Sequence, residues 1–176
     1  ARPTVLWRDF NNDSKLGLTV FHAESHIYAY TNHSSCFDSA FTTFEYYREP
    51  WKNLFWTDYD SDGDLDLFTM GQYNIRTEIW ENKEGQSLRQ LKGGPLYDYV
   101  PSDAAFSWND FDNDGYSDLF QFDTDRKVYK NLSNGNSWIK IRLKGRTSNS
   151  TGLGAKVFVK SNARWQRSDV TTHHSY

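Results

Sequence analysis

Short runs of alternating polar and bulky apolar residues recur along this chain, and they predict strands rather than helices. Leu65-Asp66-Leu67-Phe68-Thr69-Met70 and Ser117-Asp118-Leu119-Phe120-Gln121-Phe122 are two of them. Glu78-Ile79-Trp80-Glu81 and Lys127-Val128-Tyr129-Lys130 are two more, each followed by an asparagine (Asn82, Asn131) and a glycine (Gly85, Gly135). Asn and Gly there suit a tight chain reversal. Between Phe21 and Glu49 the aromatics also alternate in strand fashion, without a metal or catalytic pattern. His22 and His26 would share a helix face, yet their neighbours read as strand.

The polar gaps between these strands are more informative. Trp56-Thr57-Asp58-Tyr59-Asp60-Ser61-Asp62-Gly63-Asp64-Leu65-Asp66 and Trp108-Asn109-Asp110-Phe111-Asp112-Asn113-Asp114-Gly115-Tyr116-Ser117-Asp118 share one pattern, W-x-D-aromatic-D-x-D-G-x-x-D. Asp at loop positions 1, 3 and 5, Gly at 6 and Asp at 9 match the start of a calcium loop. Side chains at 1, 3 and 5 would supply oxygens, and position 7, Asp64 or Tyr116, its backbone carbonyl. Gly63 and Gly115 suit a turn that needs positive φ. Without a cation these carboxylates would repel one another. An all-oxygen set favours Ca2+ over magnesium, and the absence of His and Cys argues against zinc. The competing reading is a pair of solvated Asp/Gly turns, and recurrence with the same flanks argues against it. Position 12 is Thr69 or Gln121, where a helix–loop–helix calcium motif needs Glu. The expected unit is therefore strand–loop–strand.

A weaker third copy stands near the start. Asp9, Asn11 and Asp13 hold positions 1, 3 and 5, but Ser14 replaces the glycine and Gly17 the last aspartate. Fewer charged ligands predict weaker binding or none. Asp9, Asp58 and Asp110 lie 49 and 52 residues apart, the scale of a propeller blade or similar four-stranded unit.

The loops, with "IWENKEG" and "VYKNLSNG" after them, resemble the FG-GAP/VCBS repeat of integrin α-subunit propellers and many secreted bacterial proteins. The stretch "NSWIKIRLKG…SN…GLGAKV" resembles the ASPIC/UnbV segment that often follows such repeats, as in cartilage acidic protein-like proteins. The resemblance implies an all-β chain: three repeats over residues 1–135, the first degenerate, as partial propeller blades, then a β segment over 136–176. Closed propellers have roughly 4–8 blades, so three units predict a partial propeller, a piece of a longer protein, or an array completed by other chains. Ala1 in place of an initiator Met leads to the expectation of a processed or incomplete chain.

Composition agrees with an aromatic β core. Aromatics make up 17% of the 176 residues, including seven Trp. The net charge is −3, and removing the nine loop aspartates would make it +6. Acidity is thus a property of the loops, and two calcium ions would bring the sum to about +1. Lys140, Lys144 and Arg146 alternate along expected strands as a solvated face, and nucleic acid is not an expected partner. Nor is a membrane, since no apolar run approaches about 20 residues. The single cysteine, Cys36, excludes an internal disulfide and is expected to be buried or, in an oxidising place, to bridge to another chain. Sequons at Asn12, Asn32, Asn131 and Asn149 permit an extracellular glycoprotein, where calcium is plentiful.

No catalytic constellation stands out. The carboxylates are committed to ligation, the His residues match no zinc spacing, and Gly152-Leu153-Gly154-Ala155 reads as a tight turn rather than a phosphate loop. Two function classes follow. One is an extracellular calcium-binding structural or adhesion module that binds other proteins or its own copies. The other is a carbohydrate- or ligand-binding module with Trp51, Trp56, Trp80, Trp108, Trp138 or Trp165 as stacking platforms, although Trp56 and Trp108 are better placed for the core.

Overall fold

A computed structural model describes residues 4–22, 26–43, 51–71, 77–94, 104–123, 126–132, 135–146, 149–161 and 164–171. Among these the chain is all-β. Thirteen strands form four antiparallel sheets, none of them closed. The first sheet joins β1 (Thr4–Arg8), β2 (Gly17–His22), β3 (His26–Asn32) and β4 (Phe37–Thr43) in chain order. The second joins β5 (Trp51–Thr57), β6 (Asp66–Gly71), β7 (Glu78–Lys83) and β8 (Ser87–Leu91) likewise. The third has β9 (Ala105–Asn109), β10 (Asp118–Phe122) and β11 (Lys127–Tyr129), with β10 in the middle. A separate hairpin pairs β12 (Lys156–Ser161) with β13 (Arg164–Asp169). The segment from Phe21 onward thus folds as strands, and the His22 and His26 backbones pair across β2 and β3.

Each acidic loop links the first two strands of its sheet, as the strand–loop–strand reading predicts. Alternation then sorts side chains between the two faces of each sheet. Leu54 and Trp56 face the first sheet, where they join Phe10, Phe21, Ile27 and Ala29 in one buried cluster. Phe68 faces the other way and packs with Trp108 and Leu119 of the third sheet. The Trp108 ring meets Phe68 edge-on at 5.3 Å, and Trp56 stacks on Phe10 at 5.4 Å. Trp56 also donates its indole N–H to Thr19 Oγ1 at 3.0 Å. Trp56, Trp80 and Trp108 are all buried, which removes them as stacking platforms for a ligand. The Trp51 side chain and the His173-His174 tail lie outside the described residues.

A side-chain amide ties each junction. Asn82 Nδ2 donates to its own loop's Leu65 carbonyl at 2.9 Å and to the Phe10 carbonyl of the preceding loop at 2.6 Å. Asn131 repeats this with the Ser117 carbonyl at 3.0 Å and the Tyr59 carbonyl. Asn32 holds the Leu16 carbonyl of its own loop at 3.1 Å. These asparagines are 50 and 49 residues apart, matching the loops.

Two expectations need correction. Residues 136–145 form no strand, and Ile139 and Ile141 are exposed. Alternation permits a strand there, but no neighbouring edge pairs with it among the described residues. Cys36 is exposed, not buried, because it sits in the turn between β3 and β4. The Gly152–Ala155 turn is as expected, closed by Ala155 N–H donating to the Gly152 carbonyl at 2.9 Å.

Removing the Asn82 amide leaves two carbonyls at a buried junction without their donor. Asn82→Ala should cost about 2–4 kcal/mol, read by urea denaturation. Asn32→Ala should cost visibly less, because it ties only its own loop.

Candidate metal centres

The three loops follow one backbone path. Position 4 is left-handed in each, with φ of 55° at Asn12, 56° at Ser61 and 62° at Asn113. Position 6 is left-handed too, at Ser14 (69°), Gly63 (93°) and Gly115 (92°). The first loop therefore keeps the path although it lacks the glycine, and Ser14 bears the strain.

The carboxylates converge as the path dictates. Oxygens of Asp58, Asp60 and Asp66 lie within 4.8 Å of one another, and so do those of Asp110, Asp112 and Asp118. These are positions 1, 3 and 9, and both sets could hold a metal ion. Position 5 lies outside each trio: Asp62 Oδ1 accepts from Asp64 N–H at 2.8 Å and Asp114 Oδ1 from Tyr116 N–H at 3.0 Å, the same local bond that Asp60 and Asp112 make to the N–H of Asp62 and Asp114 at 3.1 Å. The Asp64 side chain also points elsewhere, accepting from Asn12 Nδ2 at 2.7 Å and pairing with Arg164 at 3.3 Å. Tyr116 is buried and donates its hydroxyl to the Asn136 carbonyl at 2.5 Å.

The hydrogen bonds test whether an ion fits. At position 1, Asp58 Oδ2 accepts from Gly63 N–H at 3.2 Å, and Asp110 Oδ2 from Gly115 N–H at 3.2 Å. The other oxygen of each, Oδ1, is buried and has no hydrogen-bond partner. A buried carboxylate oxygen in that state is costly unless a cation meets it. In the first loop the position-1 oxygens are both used: Asp9 accepts from Asp13 N–H at 3.1 Å and Ser14 N–H at 3.0 Å. Asn11 turns its amide donor on Asp13 at 3.1 Å. That loop closes by its own bonds, and Gly17 supplies no ninth carboxylate.

Electrostatics agree. Burial, reinforced by Asp62 and Asp60, pushes the Asp58 carboxyl up to about 7. Burial pushes Asp66 up to about 8 despite backbone N–H donation from Asn82. Burial and Asp13 raise Asp9 to about 6. A divalent ion would relieve the second loop by replacing protons with positive charge.

Two residues that the motif does not reveal distinguish the loops. Lys130, just before the junction asparagine, places its ammonium on Asp112 and on Asp114 at 3.1 Å. Its counterpart is Glu81, which is held by Lys83 at 3.0 Å and by Arg89. The Asp110 loop thus carries a lysine on its position-3 and position-5 carboxylates, whereas in the Asp58 loop Arg164 pairs with position 7, Asp64. The asparagine spacing pointed to these positions, but only the fold brings the end of β11 to the loop.

The C-terminal part crosses all three loops. Arg167 Nη1 donates to the Ser14 carbonyl at 3.0 Å, Arg164 pairs with Asp64, and Lys140 Nζ donates to Asn113 Oδ1 at 2.6 Å. A Cβ on Gly63 would stand 2.2 Å from Gln166, and one on Gly115 2.1 Å from Trp138. At Gly115 the Trp138 ring requires glycine for close approach as well as for φ, while at Gly63 the φ of 93° requires it. All four sequon amides are engaged internally: Asn12 with Gly63 and Asp64, Asn32 with Leu16, Asn131 with Tyr59 and Ser117, and Asn149 with Leu153. A glycan on Asn12 or Asn131 would break a bond between loops. No helix among the described residues is long and apolar enough to cross a membrane.

Compared with protein families, curated proteins and solved structures, the chain matches none.

Two outcomes follow from the geometry. Lys130→Met should raise divalent-ion affinity at the Asp110 loop by roughly tenfold or more, read by calorimetric titration, and leave the Asp58 loop unchanged. In metal-free protein, Asp58 and Asp66 keep protons that the unfolded chain loses from near 3.8. Their protonation therefore favours the fold at low pH, and that stability is lost progressively as pH rises from near 3.8 to about 7 to 8, above which both states are deprotonated. The melting temperature in EDTA should fall across this range, and a saturating divalent ion should abolish the fall.

Proposed function

We propose that this chain is a calcium-binding structural or adhesion module of the extracellular space. Its sheets are read as FG-GAP/VCBS-type blades of a partial propeller, followed by an ASPIC/UnbV-like segment. Its partners are other proteins or further copies of itself. One observation carries the ion: the buried, unpartnered Oδ1 of Asp58 and of Asp110, each inside a converging trio of carboxylates. Calcium suits the site because every converging ligand is a hard oxygen, and a flexible loop can add backbone carbonyls and water. The ion's role is mechanical. Asp66 and Asp118 also accept from the backbone N–H of Asn82 and Asn131, both at 2.8 Å. An ion on the carboxylates therefore bears on the junctions between sheets. Millimolar extracellular calcium would keep even weak loops filled.

Trp138 and Trp165 are exposed and support a second reading, a glycan-binding surface. A glycan array discriminates the two: no bound sugar removes the second reading.

Calorimetry with calcium should find about two sites, and calcium at 100 times its Kd should add about 2.7 kcal/mol per site. Asp60→Ala combined with Asp112→Ala should remove most of the heat. No heat and no EDTA-sensitive melting shift would sink the calcium reading.

A further inference from the structure

The two sheet junctions inside the chain are built alike, and each has a giving and a receiving side. On the giving side stands the Trp two residues before the loop's first Asp, Trp56 or Trp108. On the receiving side stands the third residue of the strand after the preceding loop: Thr19 under Trp56 and Phe68 under Trp108. The amide of Asn82 or Asn131 then reaches the carbonyl of Phe10 or Tyr59.

Both half-interfaces recur at the ends of the three-sheet stack, where among the described residues no further sheet is seated on them and Trp7 meets Phe37 of its own sheet edge-on at 5.8 Å. Trp7 holds the giving position in the first sheet, yet is 45% exposed where Trp56 and Trp108 are each 8%. Val5 beside it is 47% exposed. Phe120 holds the receiving position in the third sheet and is 39% exposed, with Phe122 at 50% and Val128 at 53%. Asn32 occupies the place of Asn82, and Phe111 that of Phe10 and Tyr59. Exposed aromatic clusters of this kind are costly in water and mark contact surfaces.

We propose that these two faces bind each other, so that copies of the chain join head to tail. Trp7 of one copy seats on Phe120, Phe122 and Val128 of the next, and Asn32 reaches the Phe111 carbonyl. The occupant is a second copy because the two exposed faces are the two halves of an interface that the chain already forms twice within itself. The contact is heterologous, so it leaves a free face at each end and extends into a series. The inference rests on the assembly part of the reading above and not on the ion.

Sedimentation velocity on the whole chain, from about 1 to about 200 µM, tests it. The wild type should form a series that lengthens with concentration. Trp7→Asp and Phe120→Asp should each be monomeric alone, and an equimolar mixture should give dimers and nothing longer, since one intact face of each remains. A wild type that stays monomeric at the highest concentration overturns the proposal. So does a mixture that stays monomeric while circular dichroism shows both variants folded. Should either variant misfold, Val5→Lys with Val128→Lys repeats the pairing test. Calcium titration of each variant should give unchanged heats, which separates loss of assembly from failure of the ion reading.

Discussion

The rest of the structure depends on the placement of desolvated carboxylates at the joints between sheets. Asp66 accepts from Tyr59 N–H at 3.3 Å with one oxygen and from Asn82 N–H at 2.8 Å with the other. Asn82 in turn holds the Phe10 carbonyl of the neighbouring loop. Asp118 does the same through Phe111, Asn131 and Tyr59. The acidic cluster and the joint are thus one network, and charge gathered in the loop is felt at the packing of Trp56 on Thr19 and Trp108 on Phe68. A burden of buried like charges is tolerable only with protons or a cation on it.

The three loops show how separable path and ligands are. Ser14 follows the left-handed path of Gly63 and Gly115, and Asp9 spends both oxygens on backbone N–H groups. The first loop therefore closes by its own hydrogen bonds, and it is held to the second loop by Asn12 on Gly63 and Asp64. The Asp110 loop is intermediate, because Lys130 partly neutralises it. One backbone design thus carries three differently compensated sets of carboxylates, two of which could hold a metal ion.

Much of this was legible in the residues. Strand–loop–strand order, the burial of Trp56 and Trp108 and the tight turn at Gly152–Ala155 follow from local pattern, because backbone sterics and side-chain alternation act over a few residues. The strand expected over 136–145 did not form, since alternation cannot supply a partner edge. Trp80 reads equally well as an exposed platform or as core, and burial between the first two sheets decides for core.

The sequence by itself determined the chemistry available: hard carboxylate oxygens in two loops, a backbone path that turns left-handed at fixed positions, and asparagines at matching intervals. Those are properties of spacing along one chain. Only the tertiary structure decided which oxygens meet. It gathers positions 1, 3 and 9, turns Asp62, Asp64 and Asp114 to other partners, brings Lys130 onto Asp112, and lays Gln166 and Trp138 over Gly63 and Gly115. The Asp62–Asp64 and Asp114–Tyr116 bonds are turns within one loop, whereas the Asn12–Asp64, Lys130–Asp112, Gln166–Gly63 and Trp138–Gly115 approaches join distant parts of the chain, and packing, not local propensity, sets those distances.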